Sequence, residues 1–341
     1  MDIRLITPSD WARWDEYALN HPDGLAYHQS AWIKAIKSAY GFSNSSLIAE
    51  EAGQIKGILP LVDFRIPLMG CRLVSLPYCD VGGCLSENGG VTTALLAEAA
   101  ALGRTKQARK VEIRQIASDK SPETVKKVRM VLSLPDSSEI LLAGFKAKLR
   151  SQVKKPSKDG LTGEIVGREG LDDFYQVFTE NMRDLGSPVH SLCWFESILD
   201  SYAGNARIGI VRMPDGELAA AGIILLHKKI VSIPWASSLR KYNRQNPNML
   251  LYWNFLSFAA DHGFASFDFG RSTPGEGTYK FKQQWGAEPV ALDWVDLLNP
   301  DTGLEKNGSS KLRGHVEKIW QRLPVPLATA VGSMLRRYID L

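Results

Sequence analysis

The residues best able to do chemistry gather where an apolar strand in the second half of the chain breaks into a glycine-rich turn. In FASFDFGRSTPGEGTYKFKQQWG, which begins at Phe264, Phe264, Phe267 and Phe269 alternate with smaller or polar residues, as in a strand with a buried face. Asp268 lies in mid-strand. Arg271 and Ser272 lie at its carboxyl end, where open α/β sheets place ligand groups. An Asp in such a strand needs a partner, because an unpaired buried charge is costly, and Arg271 is the candidate. The pair reads equally as a structural ion pair and as a substrate clamp or catalytic pair. Upstream, ASSLRKYNRQNPNML runs from a strand through a polar, basic loop into a helix that begins at Pro247 and Asn248. A helix start offers unpaired backbone N–H groups and a positive dipole end. With Arg240, Lys241 and Arg244 beside it, this junction suits an anionic ligand. Asn246 or Asn248 would cap the helix under either reading. The helix itself, MLLYWNFLSFAADHGF, is apolar almost all round, which assigns Tyr252, Trp253 and Phe255 to the core.

Other chemistries find less support. Cys71, Cys79, Cys84 and Cys193 show no CxxC spacing and read as reduced packing residues. The six histidines are scattered without ligand spacing, so no metal site is expected. A formal net charge of +4 is too small to imply nucleic acid by itself, and DNA is not an expected partner. The distribution of charge says more. KAKLRSQVKKPSKDG, from Lys146 to Gly160, holds five lysines and Arg150 before its first acid, Asp159. It reads as a solvated helix face at a domain boundary or as a cradle for phosphate or another polyanion. The tail from Lys311, KLRGHVEKIWQRLPVPLATAVGSMLRRYIDL, has two helical pieces separated by LPVP, with Arg313, Lys318, Arg322, Arg336 and Arg337 among its apolar residues. Docking of its apolar side on the domain is the plain expectation, and contact with an anionic membrane surface is the alternative. No apolar run approaches the roughly 20 residues that span a bilayer, and the start, MDIRLITPSDW, lacks the layout of a signal peptide. A cytoplasmic protein follows, with peripheral contact at the inner face of the cytoplasmic membrane through the tail as the further option.

The elements that must position these residues occur twice. WIKAIKSAYG from Trp32 and WFESILDSYAG from Trp194 each place a Tyr eight residues after the Trp, with a Gly just beyond. Each is followed by a hairpin pattern, SLIAEEAGQIKGILPLV and IGIVRMPDGELAAAGIILL. An apolar strand comes next, from Cys71 and from Ile230, then a helix, from Val91 and from Pro247, then a short strand, VEIRQI and SFDFGRS. The recurrence at about 160 residues fits a duplicated domain and not a solenoid with its far shorter period. A chain of 341 residues with 44% apolar and 23% charged residues is long enough for two such cores. The first copy runs from Thr7 to about Ile116, closed by a helix and a strand between Ser121 and Ile140, and the second runs from about Glu164 to Leu298. NPDTG, Asn299 to Gly303, reads as a turn leaving the last strand.

The run DFGRSTPGEGTYKFKQQWGAEP, with SLRKYNRQNPNMLLYW upstream, resembles the FemAB group of transferases, and more closely the FemAB-related proteins associated with PEP-CTERM and exosortase exopolysaccharide systems. The resemblance covers nearly the whole chain, from HQSAWIKA at His28 through KLRSQVKK to the LPVPLA tail. It implies an α/β (α+β) fold of two tandem acetyltransferase-like (GNAT) domains, each a mixed central sheet flanked by helices, with a C-terminal helical tail. The expected divisions are 1–145, 146–300, which carries the active site, and 301–341.

The resemblance also implies transfer of an acyl or aminoacyl group to an amine on an envelope polymer precursor, either exopolysaccharide or peptidoglycan. Aminoacyl-tRNA and acyl-coenzyme A are the candidate donors, and no tightly bound cofactor is expected. Where acetyltransferase domains that bind coenzyme A carry RxxGxG, this chain reads RKYNRQNPN, without glycine. By match to the family, Trp32, Lys34 and Lys37 face the acceptor. Arg240, Tyr242 and Asn248 form the central-strand loop, Arg271 and Ser272 the sheet end, and Tyr279, Lys280 and Lys282 the following helix. Asp268, Arg271 and Tyr242 are the catalytic candidates and the others bind substrate. Phe281 and Trp285, four apart, would pack inward and leave Lys280 and Lys282 on other faces. The competing reading is a non-catalytic module that holds a polysaccharide or lipid-linked intermediate.

Overall fold

A computed structural model describes residues 1–117, 120–300 and 310–340. The first copy comprises β1 (Asp2–Leu5), α1 (Trp11–Asn20), α2 (Ser30–Tyr40), β2 (Ser43–Asn44), β3 (Leu47–Glu51), β4 (Gln54–Leu59), β5 (Val62–Ile66), β6 (Gly70–Val74), β7 (Leu85–Ser86), α3 (Gly89–Thr105) and β8 (Val111–Ile116). After β9 (Val128–Ser133), α4 (Ser138–Gly144) and α5 (Ala147–Lys158) come β10 (Thr162–Val166), α6 (Leu171–Leu185), α7 (Leu192–Tyr202), β11 (Ala206–Arg212), β12 (Leu218–His227), β13 (Ile230–Ser238), α8 (Pro247–Asp261) and β14 (Ser266–Ser272). The chain continues through α9 (Gly277–Gln284), β15 (Glu288–Asp296), α10 (Ser310–Trp320) and α11 (Val325–Arg336).

Two compact units result. The first is Met1–Lys127, Val290–Lys306 and Tyr338–Leu341; the second is Val128–Pro289 and Asn307–Arg337. These are not the contiguous spans 1–145, 146–300 and 301–341. The cause is pairing: β9 follows the first copy yet runs antiparallel to β14, and β15 follows the second copy yet runs antiparallel to β8. A strand belongs wherever its N–H and C=O groups are satisfied, whatever its place in the chain. Residues 301–303 of the expected turn at Asn299, and the side chain of Arg313, lie outside the described residues.

Each copy keeps the same plan. In the first, β6 runs parallel to β8 across α3; in the second, β13 runs parallel to β14 across α8. Leu95 and Ala99 of α3 pack with Leu59, Leu61, Leu73, Val111 and Ile113 in the first core. The hairpins differ at one place. β12 is a single strand paired on both edges, whereas in the first copy Pro60 interrupts the equivalent arm between β4 and β5, since proline cannot donate to a ladder.

In the second unit the strand order is β10, β11, β12, β13, β14, β9. Gly209 of β11 lies directly opposite Gly222 of β12, and together they leave a recess for the Phe255 ring of α8. A Cβ at Gly209 would stand 2.4 Å from that ring. Tyr252 and Phe255 are buried as the sequence suggests, while Trp253 is half-buried. Along α5, Leu149, Val153 and Pro156 are buried and the lysines face solvent. Cys71 and Cys79 are buried, whereas Cys193 is exposed and is not a packing residue.

Candidate functional site

In the second unit, β13 and β14 pair only from Ile230 to Ser232 against Ser266 to Asp268. Both strands continue beyond that register, so their carboxyl ends part. A cleft of ≈ 370 Å³ opens here, lined by Ala236, Ser237 and Ser238 of β13, Asn248 and Tyr252 of α8, Asn181 and Leu185 of α6, and Gly277, Thr278, Phe281 and Lys282 of α9. Strand ends that part in this way leave main-chain polar groups available to an extended ligand, and the start of α8 adds its positive dipole end.

Each wall has a local cause. The buried face of α6 runs Phe174, Val177, Phe178 and arrives, one turn later, at Asn181, whose Nδ2 donates to Ser237 Oγ at 3.1 Å. Tyr252 stacks on Phe269, with ring centroids 5.6 Å apart, and meets Phe281 edge-on at 5.0 Å. Burial pushes its phenol well above the ordinary tyrosine range, so it stays a neutral O–H. At Gly270 the backbone is left-handed, with φ of 72°, and the register against β9 shifts between Asp268 and Arg271. The displaced carbonyls of Gly270 and Arg271 accept from Lys282 Nζ at 3.1 and 2.8 Å. An ammonium buried to 8% exposure in the cleft wall is thereby held by main-chain oxygens.

The residues named from sequence are not all brought together. Asp268 is 2% exposed, and its partner is Arg129 of β9, whose Nε lies 2.9 Å from Oδ2; it is not Arg271. Oδ1 accepts from the Gly270 N–H at 2.8 Å. Arg129 is registered opposite Arg271 across the bulge, and its guanidinium reaches Asp268, so the cation comes from a neighbouring strand. Asp268 is not among the lining residues, and its geometry is that of a structural pair. Arg271 is half-buried at the strand end and Ser272 is buried.

Tyr242 and Arg240 lie on a short 3-10 helix, Arg240–Gln245, outside the lining. The Tyr242 hydroxyl donates to Glu217, which raises its pKa and keeps it a neutral phenol, and Lys241 Nζ meets the same carboxylate at 2.9 Å. Arg240 donates to the Asp184 carbonyl at 3.5 Å. Neither asparagine caps α8 through its side chain: Asn246 sits left-handed before Pro247, and Asn248 faces the cleft. On α9, Tyr279 is half-buried and Lys280 exposed, but Lys282 is not on an outward face. Thr278, Phe281, Lys282 and Trp285 are spaced i, i+3, i+4 and i+7, which puts them on one side of the helix.

Trp32, Lys34 and Lys37 belong to the first unit. Trp32 is fully buried, with Nε1 donating to the Pro77 carbonyl at 3.1 Å, so it is core and cannot face an acceptor. Lys34 and Lys37 are exposed, the former 5.5 Å from the Trp11 ring. Also in this unit, the segment after β6 closes over β8. The Gly82 N–H donates to the Arg114 carbonyl, and the Arg114 guanidinium donates to the carbonyls of Leu76 and Cys79 at 3.3 and 2.9 Å. Asn181, Leu185, Ser237 and Thr278 were missed from sequence. Asn181 had a signal, a polar residue on the apolar stripe of a helix.

The acetyltransferase (GNAT) domain family matches residues 143–283, a span that contains every residue of the cleft. A lipid II:glycine glycyltransferase of Staphylococcus epidermidis is 25% identical over 230 residues, 58% of this chain and 53% of its own. Among solved structures, that of FemX superposes with a TM-score of 0.68 at 16% identity, covering 88% of this chain and 98% of FemX. This chain is thus similar to a lipid II:glycine glycyltransferase in sequence and to FemX in fold. A tandem GNAT protein from the clavulanic acid biosynthesis pathway, with TM-score 0.53 at 10% identity and coverage of 89% and 100%, shares the two-domain fold. The chain spans about half the length of the curated relative, 53%.

Proposed function

We propose that this protein transfers an aminoacyl or acyl group to a primary amine of a cell-envelope polymer precursor, with the chemistry in the cleft of the second unit. The observation that carries the reading is Lys282, a buried ammonium in the wall of a cleft at the parted ends of β13 and β14. In the transfer, the amine nitrogen attacks the donor carbonyl, a C–N bond forms, and the bond from that carbon to the leaving oxygen or sulfur breaks. The amine proton departs with the leaving group. No covalent enzyme intermediate is required, because holding amine and activated carbonyl together supplies up to about 7–11 kcal/mol in favourable cases. The negative charge that develops on the carbonyl oxygen is stabilised by Lys282 and by the start of α8.

An aminoacyl-tRNA is the favoured donor. The curated relative is named for glycyl transfer to lipid II, and RKYNRQNPN at the start of α8 has no glycine with which to wrap a pyrophosphate closely. By the same support the acceptor is a peptidoglycan precursor, with an exopolysaccharide precursor as the alternative. Purified protein is incubated with charged tRNA or acyl-coenzyme A and with each precursor, and the acceptor mass is read. The expected result is an added aminoacyl mass with charged tRNA, formed about 10²–10³-fold more slowly by Lys282→Met. Unmodified acceptor with every donor, or an undiminished rate in the variant, refutes the assignment.

A further inference from the structure

The helix pair that closes the second unit is docked by its small residues and shows its large ones to water. α11 packs on α6 with Ala328 and Gly332 buried. A Cβ at Gly332 would stand 2.9 Å from the Val189 nitrogen and 3.2 Å from the Trp320 ring, so that face is already closed. α10 comes as near at Gly186, where a Cβ would lie 2.9 Å from Glu317 Cβ, and Arg183 donates to the Leu323 carbonyl in the turn between the helices at 3.1 Å. Leu327, Ala330, Val331, Met334 and Leu335 fall at i, i+3, i+4, i+7 and i+8 of α11, and all are exposed, Met334 to 71%. Val316 and Ile319 of α10 are exposed as well. A continuous apolar stripe on a helix whose inner face is satisfied marks a surface with a partner.

Charge says which partner. From Gln321 to Ile339 the chain carries Arg322, Arg336 and Arg337 and no acid, and Lys318 lies one turn before Arg322. We propose that α11, with the exposed edge of α10, lies on an anionic lipid surface, the Leu327 to Leu335 stripe at the acyl boundary and the exposed Lys318 and Arg322 among the head groups. Exposed basic residues before the stripe, and no acid from Gln321 to Ile339, match a lipid surface better than a protein face of mixed charge. Neither helix is long and apolar enough to cross a membrane, so the contact is peripheral. α6, on which the pair rests, also lines the cleft through Asn181 and Leu185, so this docking would hold the cleft near molecules anchored in that surface. The lipid contact itself does not depend on the transfer chemistry.

Flotation of the full chain with vesicles of phosphatidylcholine alone, or mixed with phosphatidylglycerol, tests it. Two variants accompany the wild type, Val331→Ser/Met334→Ser and Lys318→Gln/Arg322→Gln, all at exposed positions, with unchanged melting as the check on folding. The wild type should float with the anionic vesicles. The apolar variant should lose at least about tenfold in binding, and the charge variant about fivefold per residue on anionic vesicles alone. Absence of wild-type flotation, or equal flotation of all three proteins, overturns the proposal. So does gel filtration in which the apolar variant converts a dimer to a monomer while lipid binding is unchanged, which would assign the stripe to a second copy.

Discussion

Asp268 and Arg271 show how a residue can be placed well along the chain and still be given the wrong neighbour. An acid in the middle of FASFDFG needed a cation, and Arg271 was three residues away. Arg129 on β9 pairs with Arg271 across the bulge at Gly270, however, and it is Arg129 that meets the acid. Pairing between strands distant in sequence leaves no local mark, which is why Arg129 could not be named in advance. The consequence is measurable by denaturant unfolding. Asp268→Asn should cost about 3–5 kcal/mol, because Arg129 is left as a buried charge without its counter-ion, and in double-mutant cycles Asp268 should couple to Arg129 and not to Arg271. Coupling to Arg271 and none to Arg129 would return the pair to Asp268 and Arg271. Lys282 was named from the family motif, but its face was misjudged. Phe281 and Trp285 mark the inner side of α9 in the sequence, and Lys282, four residues after Thr278 and three before Trp285, shares that side.

At the scale of elements, what was legible was periodic. The hairpins, the connecting helices α3 and α8, and the strands after them follow from apolar runs bounded by turn residues. What stayed hidden were features set by the packing of two elements against each other. Gly209 and Gly222 look in sequence like weak points in strands, yet their opposition in the sheet seats Phe255 and fixes the position of α8, whose start supplies Asn248 and Tyr252 to the cleft. Gly209→Ala should therefore destabilise the protein by about 1–3 kcal/mol through overpacking, although alanine suits a strand no worse than glycine does. Thermal unfolding of that variant at or above the wild-type midpoint would show that α8 can yield, and that the recess is not what positions it. The same reasoning explains Asn181: its place on the apolar stripe of α6 was visible, but its partner Ser237 on β13 was not.

For the whole molecule, duplication was legible because both copies retain the same order of elements and the same Trp to Tyr spacing. The exchange of β9 and β15 between the units was not, since either strand could have completed either sheet on composition alone. The copies have also diverged at corresponding places. After β6, Arg114 gathers the carbonyls of the following segment over β8, whereas after β13 a cleft stays open with Lys282 in its wall. That difference underlies the proposal that one of two related units carries a transfer site. Mass spectrometry of envelope precursors tests it most directly, in cells lacking the protein and in the same cells supplied with wild type or with Lys282→Met. One aminoacyl or acyl mass should disappear with the protein, return with the wild type and not return with the variant. Precursors of identical mass in all three would contradict it.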